Sequence, residues 1–184
     1  MNKLKVIQIL PELNIGGVER GTKDFSKALV EKGHQSIVIS NGGIFEKDIT
    51  HDGGKHIKVP VHKKSPFSFF LSKKLRTIYE GEKPDIVHIR SRMPAWINYF
   101  AFKKLTKKPL LISTFHGLYS MPIYSQIMSK VDHVIAISET VRNYIVNTYN
   151  ISDNKVTVIP RGCDIEYFNK EQISKDWIDD WFNN

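Results

Sequence analysis

Cysteine is almost absent. Cys163 is the only one, so no internal disulfide can form, and nothing demands an oxidising compartment; this points to a cytoplasmic setting. Long apolar runs are missing as well. No stretch approaches the roughly 18 apolar residues of a membrane span. The opening MNKLKVIQILPEL starts basic and turns apolar, but Gln8 and Pro11 break it and no small-residue cleavage site follows, so it reads as a first strand and not as a signal peptide. His51, His56 and His62 lack regular ligand spacing, and with one cysteine they argue against a zinc site; no metal is expected. Neither G-x-G-x-x-G nor G-x-x-x-x-G-K-[ST] occurs, which removes the dinucleotide fingerprint and the P-loop and disfavours a nicotinamide-dependent oxidoreductase. Acidic residues are the scarcer charge: 19 Asp and Glu stand against 27 Lys and Arg, for a net charge of +8. That balance favours anionic partners, whether nucleic acid, phosphorylated ligands or an anionic membrane surface.

What is present is ordinary globular composition: 184 residues, 41% hydrophobic, 25% charged. It suffices for one well-buried domain and is short for two. Apolar runs alternate with segments of helical period. Leu4 to Leu10 is a first strand, followed by a helix with Val18, Phe25, Ala28 and Leu29 inward, closed by Gly33. Ser36 to Ser40 is a second strand and Ile57 to Val61 a third, with a short helix from Ile44 to Thr50 between them. Ser65-Pro66 suits a helix start, and Phe67, Phe70, Leu71, Leu75 and Ile78 repeat on one face. Asp85 to Ile89 is a fourth strand. A helix from Pro94 turns Trp96, Ile97, Phe100 and Ala101 inward. Leu110 to Thr114 is a fifth strand and Val131 to Ile137 a sixth, apolar enough to be central. Ser138 caps a helix with Val141, Tyr144, Ile145 and Thr148 inward, and Lys155 to Ile159 is the seventh strand. Alternation without hairpin signals predicts an α/β, Rossmann-like three-layer domain with a mostly parallel sheet of about seven strands.

In such sheets ligands bind beyond the carboxyl ends of the strands. Here those ends carry Gly16-Gly17, Asn41-Gly42-Gly43, Arg90-Ser91-Arg92, Phe115-His116-Gly117, Ser138-Glu139 and Arg161-Gly162. The glycine pair stands between the first strand and first helix, where helix N–H groups and dipole suit a phosphate or carboxylate; a plain tight turn is the other reading. His116 is either a structural histidine or a group that bonds a sugar hydroxyl or the oxygen of a transferring group. His88, inside an apolar strand, reads as buried and structural. Arg90 and Arg92 alternate at a strand end, so both could reach one anion, unless they are only a solvated loop. Glu19 suits the helix dipole. Lys103, Lys104, Lys107 and Lys108 crowd a helix C-terminus, where cations are favoured.

Six segments stand in order along the chain: GGVERG, GHQSIVIS, DIVHIRSR, STFHG, VIAISE and VIPRGCDIEYF. Together they resemble the N-terminal half of glycosyltransferase family 4 enzymes of GT-B architecture, most closely the bacterial lipopolysaccharide-type transferases, over roughly Lys3 to Phe168. The resemblance implies an acceptor-side domain at 1–168 and a linker helix at 169–184 leading toward a C-terminal donor-binding domain. No two glutamates stand eight positions apart, so the family's Glu-x7-Glu element is expected in that further domain, and the chain alone is expected to be inactive. It implies a nucleotide-sugar as co-substrate, no other cofactor, and transfer to a glycan or lipid-linked acceptor hydroxyl with retention. Gly16, Gly17 and Arg161 would meet the donor diphosphate, His116 would act at the reacting centre, and Glu19, Arg90, Arg92, Ser138 and Glu139 would line the cleft. Asp164 caps the turn after Gly162 or does more.

Two other function classes remain. One is a catalytically incomplete module that grips a lipid-linked acceptor or a partner chain. The other is nucleic-acid binding, against which stand the absence of any such signature and the scatter of lysines over several helices. The helix from Phe67 to Tyr79 also places Phe69 outward beside Lys73 and Arg76, with Lys63 and Lys64 upstream. That arrangement is either a solvated basic face or an interfacial contact with the inner face of an anionic plasma membrane.

Overall fold

A computed structural model describes residues 2–62 and 70–162. In chain order it contains β1 (Lys5–Ile9), α1 (Gly17–Glu31), β2 (Gln35–Ser40), α2 (Glu46–His51), β3 (Lys55–Lys58) and α3 (Leu71–Glu82). Then follow β4 (Ile86–Ile89), α4 (Arg92–Phe102), β5 (Leu110–Phe115), α5 (Pro122–Ser125), β6 (His133–Ala136), α6 (Glu139–Tyr149) and β7 (Val156–Val158). A 3-10 turn, Gln126–Ser129, extends α5, and another, Asp153–Lys155, precedes β7. All seven strands are parallel, in the order β3-β2-β1-β4-β5-β6-β7. This is the expected Rossmann-like α/β layering. The chain walks outward from β1 to β3 and then resumes on the other side of β1, so the crevice between the carboxyl ends of β1 and β4 is the topological switch point.

The two faces of the sheet differ in chemistry. Ile7 and Ile9 point into the large core with Val87, Ile89, Leu75, Ile97 and Ile145, as alternation along a strand requires. The opposite face, under α1, carries buried polar groups. Gln8 Nε2 donates to the Thr22 carbonyl at 3.1 Å, Ser26 and Ser36 share a hydroxyl hydrogen bond of 2.8 Å, and Arg90 Nη1 donates to Gln8 Oε1 at 2.9 Å. Unpaired, each group would cost about 1–3 kcal/mol of desolvation; paired, they form a seam running up to the switch point.

That seam explains why several faces differ from the simple apolar pattern. The inner stripe of α1 is Thr22, Ser26 and Leu29, and Phe25 stands half in solvent with its ring edge against His88. In α3 the inward residues are Leu75 and Tyr79, while Phe70 precedes the helix and is 67% exposed. In α4, Phe100 lies outward and Trp96 is half-buried; Asn98, held by the Tyr79 hydroxyl at 2.7 Å, takes an inward place. In α6, Tyr149 is buried where Thr148 was expected. The third strand ends before Pro60, which lacks an N–H for the ladder. β6 is next to last, and β4 holds the middle. Phe67, Phe69, Cys163, Asp164 and the linker helix lie outside the described residues.

The seam yields a test. Gln8→Leu keeps the volume and raises the apolarity of β1, yet it strips Arg90 of its described hydrogen bond. We expect a loss of about 1.5–3 kcal/mol in urea denaturation; a neutral or stabilising result would remove the seam from the account of the fold.

Candidate functional site

The switch point collects side chains from five segments. α1 begins at Gly17 with no side-chain cap; its N-cap Gly16 is extended, at φ 172°. The glycines therefore serve close approach and not a strained turn. The space that a side chain at Gly16 would fill holds the Glu19 carboxylate, and at Gly17 it holds the Arg161 guanidinium. A carboxylate at a helix N-terminus answers the dipole, so the chain supplies its own anion at this place.

Arg161 reaches from beyond β7 and donates through Nη2 to His116 Nδ1 at 2.9 Å. A guanidinium only donates, so Nδ1 accepts and the imidazole proton sits on Nε2. That Nε2 is buried and has no partner among the described residues. Burial, then Arg90, then Arg161, push the His116 pKa down to about 3, so the ring is neutral at physiological pH. Beneath it lies Arg90, buried, its pKa lowered to about 10 by burial and by Arg161 against the opposing pull of Glu19. His88 is buried, bonded through Nε2 to the Thr114 hydroxyl at 2.7 Å, and held neutral by burial and the nearby Arg90.

Gly16, Gly17, Glu19, Arg90, His116 and Arg161 thus meet. The remaining expected site residues have other occupations. Arg92 does not share an anion with Arg90, because Ser91 is the N-cap of α4 and ends the strand alternation. Arg90 descends to Gln8, whereas Arg92 packs over the rings of Tyr119 (4.8 Å) and Tyr124 (5.6 Å) and bonds Ser125 Oγ at 3.4 Å. The Ser138 hydroxyl caps α6 by accepting from Val141 N, and Glu139 pairs with Arg142. Lys73 is exposed and Arg76 pairs with Glu80 at 3.7 Å, both lining a groove of about 340 Å3. Two contributors went unread in the sequence, Gln8 and Thr114. A glutamine in the strand KVIQI was the available signal; nothing marked Thr114. Among the described residues no group of three or more His, Cys, Asp or Glu is disposed to hold a metal ion, and no helix is long and apolar enough to cross a membrane.

A parallel sheet in this order, with a glycine-entered helix and a cationic cluster at its switch point, is a Rossmann-like three-layer domain of the kind found in GT-B glycosyltransferases. The chain belongs to glycosyltransferase family 4, whose sequence model matches residues 15–167. It is 30% identical to an uncharacterized glycosyltransferase of Methanocaldococcus jannaschii, over 96% of this chain and 52% of that protein. A glycosyltransferase from Rickettsia africae superposes with a TM-score of 0.80 at 35% identity, over 98% of this chain and 48% of the other. Anabaena HepE, solved with UDP and glucose, shares the fold at TM-score 0.73 and 14% identity, over 97% of this chain and 49% of its own. The chain therefore spans about half the length of these relatives.

The site predicts an acid-side signature. For His116 and His88 the folded pKa lies below the ordinary 6.5. Their contribution to stability is complete above pH 6.5 and is lost as pH falls toward about 3. We expect the His116 imidazole resonances to show no titration from pH 8 to about 5, with unfolding free energy declining below about pH 6.5. A His116 midpoint near 6.5 would contradict the buried, cation-flanked geometry.

Proposed function

We propose that the chain is the acceptor-side wall of an enzyme that moves a sugar from a nucleotide-sugar to an acceptor hydroxyl in cell-surface glycan or lipopolysaccharide synthesis. Transfer is with retention and without a resident metal, on the cytoplasmic side of the membrane. The observation that carries the reading is the neutral His116, whose Nε2–H lacks a described partner while Arg161 holds Nδ1 at the N-terminus of α1. A neutral imidazole donates a hydrogen bond without adding charge, which suits a sugar hydroxyl or the oxygen of the group in transfer. Arg161 and the first turn of α1 supply the positive field for a leaving diphosphate, whose charge grows as the glycosidic bond breaks. Glu19 holds that field in balance until phosphate displaces it. Arg90 acts from beneath, through the field at His116, and not on the acceptor. The UDP found in the HepE structure supports a nucleotide-sugar as co-substrate.

One wall of a cleft does not position a donor. Residues Met1 to Asn184 alone are therefore expected to transfer no sugar at a useful rate, and on its own this chain is an acceptor-gripping module. In the full-length enzyme, with UDP-sugars screened as donors, His116→Ala should lower kcat/KM by about 100-fold or more. Ser138→Ala, which deletes only a helix cap, should cost about 1 kcal/mol of stability and little turnover. Equal effects of the two substitutions on kcat/KM, or brisk turnover by the 184-residue chain, would defeat the assignment.

A further inference from the structure

His116 stands in the stretch between β5, which ends at Phe115, and α5, which begins at Pro122. That stretch is neither helix nor strand, so no regular element fixes the backbone from which the imidazole is aimed. Arg161 holds the ring at Nδ1, but a ring held at one atom is aimed only if its Cα is held as well. The fixing has to come from side chains. Those that converge on the stretch are Arg92 of α4, Tyr119, Ser125 of α5, and Tyr144 and Tyr149 of α6.

Their hydrogen bonds run in one direction. The Arg92 guanidinium can only donate, and its Nη1 lies 3.4 Å from Ser125 Oγ. Ser125 is wholly buried and bonds the Tyr149 hydroxyl. The Tyr149 and Tyr144 hydroxyls are 3.1 Å apart, and Tyr144 donates to the Tyr119 carbonyl at 2.7 Å. Each hydroxyl has a single proton to give. With that of Tyr144 committed to the carbonyl, Tyr149 donates to Tyr144, and Ser125 donates to Tyr149. The chain therefore starts on a cation and ends on a backbone oxygen close after His116. Tyr119 closes the circuit. Its ring lies 5.1 Å from that of Phe115 and 4.8 Å from the Arg92 guanidinium, and its hydroxyl accepts a hydrogen bond from the His116 backbone. Burial raises the Tyr119 and Tyr149 pKa values, so these phenols keep their protons at neutral pH.

We infer that Arg92, Tyr119 and Tyr144 are positioning residues, which set where the His116 backbone, and with it the imidazole, stands at the rim. This rests on the transferase reading of His116 and adds the means by which α4 and α6 hold that histidine. None of the three has to touch a substrate. Arg92 is already engaged: Ser125 takes its Nη1, and the rings of Tyr119 and Tyr124 cover the guanidinium. It is therefore not free to grip an anion at the rim. A purely cohesive role would let the phenol hydroxyls matter to stability alone. In a linked chain each bond polarises the next, and removal of one member is felt at the far end. The two roles therefore differ at His116 itself: only the positioning role makes its tautomer depend on a hydroxyl in α6.

The test is a matched series of Tyr→Phe variants, read first by the His116 imidazole nitrogen shifts in NMR spectra of the 184-residue chain at neutral pH. The unsubstituted chain should show a protonated Nε2 and a bare Nδ1. Tyr119→Phe and Tyr144→Phe should each draw the two shifts toward one another, as the ring loses Arg161 and exchanges tautomers. Tyr79→Phe is the control. It deletes a buried hydroxyl bonded to Asn98 between α3 and α4, so it should lower the urea midpoint without moving the His116 shifts. In the full-length enzyme Tyr119→Phe and Tyr144→Phe should lower kcat about tenfold while the donor KM stays nearly constant. Arg92→Gln should do the same, and Arg92→Lys, which keeps a cation over the rings, should recover part of the loss. Unmoved His116 shifts in both site variants, an equal displacement by Tyr79→Phe, or an effect confined to KM would overturn the inference. Displaced shifts with kcat unchanged would uphold the placement of His116 by these residues and defeat instead its part in transfer.

Discussion

A buried arginine is the constraint around which the domain is arranged. Removing a guanidinium from water is costly, and the cost is bearable only where hydrogen bonds replace the lost solvent. Arg90 obtains one from Gln8, and Gln8 in turn fixes the backbone of α1 at Thr22. The side of the sheet under α1 is therefore mixed, the polar seam lying beside an apolar cluster of Leu10, Leu13, Val38 and Ile49. Its helix presents Thr22 and Ser26 where a leucine stripe would leave polar strand residues unsatisfied. The other side, free of that demand, is an ordinary aliphatic core. The division of labour is physical: one face supplies cohesion, the other orients charge toward the rim.

The charge so oriented decides the state of the histidine above it. Two guanidiniums near a partly buried imidazole make its protonation doubly unfavourable. His116 is thereby kept from being an acid and left as a hydrogen-bond donor of fixed tautomer, aimed by Arg161. Glu19 moderates the same field from the opposite side. Family membership gives the chain its class, but solved structures at 14% identity carry only the fold; it is the local disposition of these groups that gives the class a chemistry here.

Much of this was legible in the sequence. Alternating apolar and helical segments gave the parallel sheet, and the glycines and polar residues clustered after strands gave the rim. The order of elements and the meeting of Gly17, His116 and Arg161 agree with that reading. What escaped it were choices of face. Phe25, Phe70 and Phe100 look like core residues by hydropathy, yet Thr22, Ser26 and Asn98 took inward places because polar partners across the fold required them. Arg90 and Arg92 looked equivalent by spacing, but a helix begins between them and sends them apart. Gln8 was visible only as an interruption of an apolar run. Its partner lies 82 positions away, and no local pattern encodes such a pairing.

That separation bears on how the molecule comes into being. During synthesis the first strand and first helix emerge together, with the Gln8 amide oxygen facing a place that is empty until β4 arrives with Arg90. His116 must then wait a further 45 residues for Arg161. Closing loops of that length costs entropy before the contacts repay it. The hydrophobic layer can condense on the nascent chain as its strands appear, but the rim acquires its electrostatic balance only after the seventh strand has been made. A nascent chain that ends before Arg161 therefore lacks the contact that fixes the His116 ring, however well its earlier strands have condensed.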